Sequence, residues 1–80
     1  MAADRSRIHN ETAPRLIREM ARIAGDDKVA LNILAESLLV GVGMLNYPGD
    51  ARRQALIIQE IADGAQDRAR AIGQHQGGGQ

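Results

Sequence analysis

Apolar residues recur along this chain at steps of three and four, the period of helices that each bury one side. Over residues 13–24, Leu16, Ile17, Met20, Ile23 and Ala24 fall on one side, and Arg15, Arg18, Glu19 and Arg22 on the other. Thr12 is placed to cap this helix and Pro14 sits in its first turn, where a missing N–H does no harm. Glu11–Arg15 and Arg15–Glu19 are i,i+4 pairs of opposite charge. Gly25 is a natural stop.

The next segment has a different pattern. A helix over residues 27–45, capped by Asp26, carries only a narrow polar stripe of Lys28, Asn32 and Glu36, roughly 80° wide by the helical period. Leu39 and Gly43 fall inside that stripe. An arc of roughly 240° of the rest is apolar or small, and Ala30, Ser37 and Gly41 form a flat strip within it. A helix apolar around most of its circumference predicts a central, covered position.

Asn46-Tyr47-Pro48-Gly49-Asp50 reads as a turn, with Pro then Gly at the central positions of type II and Asp50 as the next cap. A third helix follows over residues 51–72. Its stripe is Ala51, Ala55, Ile58, Ile61, Ala62, Ala65, Ala69 and Ile72, rich enough in alanine for a close neighbour. Leu56 and Ile57 lie off the stripe, and Gly64 weakens the helix interior.

Residues 1–11 read as a flexible polar arm, able to extend the first helix by a turn or two, residues 12–72 as the helical domain, and residues 73–80 as a disordered Gly/Gln tail. The predicted fold is all-α: a small three-helix bundle, up-down-up because its connections are short.

Composition raises a stability problem for that bundle. The chain has 80 residues, no cysteine to staple it, and Tyr47 as its single aromatic. A core of this size gives at most about 3–5 kcal/mol unaided. Association, as a homodimer or with another protein, would enlarge the core, and the wide arc of the second helix places it at or near the seam. Formal net charge is zero, so no overall field draws the chain to nucleic acid or to an anionic membrane. The apolar run over residues 38–45 is too short to span a bilayer, and the opening Met-Ala-Ala-Asp-Arg lacks the apolar stretch of a signal peptide. These features lead to the expectation of a cytoplasmic protein without a membrane partner.

Catalysis finds little support. Nucleophilic chemistry needs a nucleophile, a base and a group that orients the base. His9 lies in the arm, His75 in the tail, and Ser37 in mid-helix with no histidine near it in sequence. Asp63 and Asp67, one helical turn apart, are the best cation pair on offer and read as two solvated carboxylates. Gly41-Val42-Gly43 lacks the Lys-Ser/Thr of a phosphate loop. The expectation is therefore no enzyme, no cofactor and no metal.

Two binding readings remain. Arg52, Arg53 and Gln54 open the third helix, and recognition helices read bases from their N-terminal residues. The first 24 residues add five arginines against three acids. A small DNA-binding regulator is the alternative. The stronger expectation is a non-enzymatic interaction module: a small subunit, adaptor or inhibitor that docks an aliphatic helical surface on a larger protein. Its candidate contact residues are Leu34, Leu38, Leu39, Val42, Leu56 and Ile57.

Overall fold

The computed structural model describes residues 2–77, with side chains through Gln74. Every regular element among them is helical, so the all-α class holds. The first helix, α1, is a continuous run of Arg5–Arg7, a π-helical turn at Ile8–Thr12, and Ala13–Ala24. It is followed by α2, Lys28–Asn46, and α3, Ala51–Gly77.

At the start of α1 the polar arm extends the helix, one of the two forms open to it, and the expected Thr12 cap is not made. Residues 5–11 belong to the helix, and Asp4 caps it by accepting a hydrogen bond from the Arg7 N–H at 3.2 Å. Thr12 is itself helical and makes no side-chain cap. Pro14 therefore lies inside a helix, where it lacks the N–H that would bond residue 10, and its ring crowds that carbonyl. The π turn answers this: the Ala13 N–H reaches back to the Ile8 carbonyl, widening the helix just ahead of the proline. The ion pairs of α1 also differ from the expected ones. They include Arg7–Glu11 at 3.2 Å and Glu19–Arg22, whose Nε–Oε2 bond is 2.9 Å.

Both interhelical corners are built by local chemistry. Gly25 takes φ 60°, and its N–H bonds the Ala21 carbonyl at 2.9 Å. The cap of α2 is Asp27 rather than Asp26: one carboxylate oxygen accepts from the Val29 and Ala30 N–H groups at 3.0 and 3.1 Å. At the second corner Gly49 has φ 76°, the left-handed conformation that a type II turn needs at its second central residue. The Asp50 N–H closes that turn onto the Tyr47 carbonyl at 3.2 Å, and the Asp50 carboxylate caps α3 through the Arg53 N–H at 3.1 Å. The last helix runs on to Gly77 instead of ending near Ile72. Of the predicted tail, residues 73–77 are thus helical in backbone and residues 78–80 lie outside the described residues.

The chain divides into two compact units, Met1–Ser37 and Leu38–Gln80, and the division falls within α2. In the first, the one buried residue among those described is Ala24. Ala13, Pro14, Met20, Ala30 and Leu34 are half-buried and mark the sides on which its helices are covered. The centre of the α1 stripe is covered, while Leu16, Ile17 and Ile23 at its edges stay exposed. In the second unit the one buried described residue is Gly43. A β-carbon there would lie 2.9 Å from Cδ1 of Ile58 and 3.3 Å from the Gln54 carbonyl oxygen, so glycine is what lets α3 approach α2 this closely. Leu39, one turn earlier on the same face, is half-buried, as are Ile58 and Ala62 on α3. This accounts for the two residues that interrupted the polar stripe: Leu39 and Gly43 mark the side of α2 turned to α3.

Candidate functional site

An 80-residue chain that folds around its own core hides several large aliphatic side chains. Here no side chain larger than alanine is buried among the described residues, and none falls below 2% exposure. The apolar side chains that should fill a core stand open instead. In each unit they compose a candidate interaction surface.

In the first unit, Val29 and Ile33 stand one turn apart on α2 at 67% and 58% exposure. Leu34, a predicted contact residue, is half-buried on another side. In the second unit, Val40 and Met44 repeat the one-turn pair. Leu38 and Val42 form a further pair on α2, and Leu45 is 83% exposed. Of the predicted contact residues, Leu38 and Val42 are thus exposed, whereas Leu39 is half-buried on the side of α2 that meets α3. The sequence reading passed over Val29, Ile33, Val40 and Met44. Their signal was already in the pattern, because all four lie in the wide apolar arc, but nothing in the sequence told which part of that arc the neighbouring helices leave open.

The predicted pair on α3 falls in one place. Leu56 and Ile57 line a hollow of about 240 Å³ together with Tyr47, Arg53 and Glu60. Leu56 is 59% exposed. The Arg53 guanidinium lies 5.8 Å from the centroid of the Tyr47 ring, a cation–π distance. Its Nε is 3.5 Å from an Asp50 carboxylate oxygen. The Gln54 side-chain amide donates to the Tyr47 carbonyl at 2.8 Å. Of the three residues proposed to read bases, then, Arg53 and Gln54 hold the corner, and Arg52 is an exposed cation on the first turn.

Chemistry of other kinds finds no assembled groups. No cluster of three or more metal-ligating side chains occurs among the described residues. Asp67 pairs with Arg70 at 3.1 Å. Ser37 is exposed in mid-helix, His9 lies in the π turn, and the His75 side chain lies outside the described ones. One carboxylate is electrostatically perturbed: the hydrogen bond from Arg22 holds Glu19 below its ordinary pKa, and the same bond raises that of Arg22.

By length and composition, α2 is apolar enough to cross a membrane, a property the run over residues 38–45 alone did not have. Compared with known proteins, the chain matches no family model, no curated protein and no solved structure.

Proposed function

We propose that this protein is a non-enzymatic interaction module that completes its core by association. It acts as a small subunit, adaptor or inhibitor, docking an aliphatic helical surface on a larger protein in the cytoplasm. The observation that carries this reading is the absence of a buried aliphatic side chain larger than alanine among the described residues of either unit, set against well-formed helices and corners. Self-association as a homodimer, and closure of the three helices into an up-down-up bundle, belong to the same reading, since each would cover apolar side chains that stand open.

Two features favour protein over lipid as the cover of α2. Asn32 and Glu36 lie within the helix, and an ionised carboxylate there costs about 3 kcal/mol in a bilayer. The Ile58 contact at Gly43 also sets α3 beside the last turns of α2, so a bilayer around those turns would meet Glu60, half a turn past Ile58. Aliphatic side chains of another helical surface cover such a face without stranding these groups.

The test is a pull-down with tagged protein from nuclease-treated lysate, scored by mass spectrometry for stoichiometric partners. One abundant protein is expected, lost when Leu38 and Val42 are both changed to Gln while helicity by circular dichroism stays at the wild-type level. Capture that survives the double change would remove the α2 surface from the contact. Recovery of the bait alone would remove the larger partner.

A further inference from the structure

On α3, Arg53, Leu56, Ile57 and Glu60 form one strip on the side away from Ile58, and all four line the same hollow. The order of their chemistry is basic, aliphatic, aliphatic, acidic. The midpoint between Leu56 and Ile57 is also the midpoint between Arg53 and Glu60. Such a strip is complementary to itself. When a second copy is laid antiparallel on it about a two-fold axis through that midpoint, Leu56 meets the partner subunit's Ile57, and Arg53 meets the partner subunit's Glu60. The symmetry repeats both contacts, as an isologous interface requires.

The geometry suits this pairing. Arg53 and Glu60 are seven residues apart, about 10.5 Å along the axis at 1.5 Å per residue, so each charge stands about 5 Å from the two-fold axis. Arg53 is already directed by the Tyr47 ring and by Asp50, yet its side chain stays 67% exposed and able to take a second carboxylate. Glu60 has no ion-pair partner among the described residues. Leu56 is an exposed leucine inside this frame of charges. We infer that this strip of α3 is a two-fold contact between copies of the chain, with charge complementarity as its selector. The inference rests on the association reading and deepens it: a second copy takes the α3 part of the surface, leaving the aliphatic face of α2 for the larger protein. Tyr47 borders the contact and adds apolar area beside each Leu56. The strip is short, which places the contact among weak, micromolar associations.

The symmetry supplies its own experiment, sedimentation equilibrium of full-length protein from micromolar to hundreds of micromolar. Wild-type protein is expected to dimerise. R53E sets a carboxylate against the partner subunit's Glu60 at both ends, and E60R sets two guanidinium groups together at both ends. Each single variant should raise the dimer dissociation constant at least about tenfold, in line with two exposed attractive pairs turned repulsive. E60R is the cleaner arm, because R53E also gives up the contacts to Asp50 and Tyr47. In an equimolar mixture of R53E and E60R the mixed dimer has opposite charges at both ends, so dimer should return on mixing; the same rescue within one chain is the double variant R53E/E60R. It restores opposite charges at both ends and should return the mass to that of the wild type. Rescue by a second charge reversal cannot come from misfolded chains. Single variants that dimerise as well as the wild type, or a double variant without rescue, would overturn the α3 contact and leave partner capture through α2 standing. A wild-type chain that stays monomeric at every concentration would overturn this contact and homodimerisation together, and the pull-down separately decides the α2 surface.

Discussion

The corner between α2 and α3 and the middle of α2 obey different physics. At the corner the chain satisfies itself. Gly49 supplies the positive φ, Asp50 caps the helix, Gln54 bonds the Tyr47 carbonyl, and Gly43 admits Ile58. In the middle of α2, backbone geometry is equally regular, yet Ile33, Leu38 and Val40 face outward. Full burial of such a side chain is worth about 1.5–3 kcal/mol, and about half of that is left unrealised at each. Local interactions are complete and long-range ones are not. The proposed association would supply the long-range contacts that these faces lack.

Substitutions should separate the two regions sharply. The largest effect falls at the corner's contact. Gly43→Val puts a β-carbon within 3 Å of Ile58 and close to the Gln54 carbonyl, and should destabilise the fold by about 2 kcal/mol through overpacking, read as a lowered Tm at fixed protein concentration. Asp50→Ala removes the α3 cap and its pairing with Arg53, and should cost about 1 kcal/mol on the same scale. Two residues before Gly43, Gly41 has nothing within 4 Å of where a β-carbon would stand. Gly41→Ala should therefore gain somewhat under 1 kcal/mol from helix propensity. A loss instead would place a closely packed helix of an associated chain against that residue.

The smallest effect is electrostatic. The folded pKa of Glu19 is lowered by the Arg22 hydrogen bond, so its contribution is complete above the ordinary carboxylate pKa and disappears as pH falls through the lowered value. Helix content of Glu19→Gln should lie slightly below that of the wild type at pH 7, and the two should converge in acid. Both groups are solvent-exposed, which keeps the difference small.

The parts legible in the sequence were those fixed by neighbours in the chain. The Pro48-Gly49 turn, the Asp50 cap and the Gly25 stop each depend on a few adjacent residues, and each stands where the pattern put it. The Thr12 cap was misread because Pro14 after Thr12 resembles a helix beginning, while a π turn lets a proline sit inside a helix instead. Asp26 and Asp27 are equivalent as caps in the sequence, and only the folded start of α2 shows that it is Asp27 that accepts from the Val29 and Ala30 N–H groups. Among the candidate contact residues, Leu56 and Ile57 stood out because they break the stripe of α3, and both line one hollow. Val29, Ile33, Val40 and Met44 were passed over because an arc of about 240° by the helical period does not show which of its sides a neighbour will cover. Leu39 shows the converse: its place in a polar stripe looked like exposure, and the closeness permitted by Gly43 turned that side into a contact.

We propose that association completes this fold. Helicity by circular dichroism and mass by sedimentation, followed together on wild-type protein diluted from hundreds of micromolar to below one micromolar, test it most directly. Mass and helicity should fall together on dilution, or be restored together by the captured partner. A monomer of constant mass that keeps full helicity across the whole range would contradict the account.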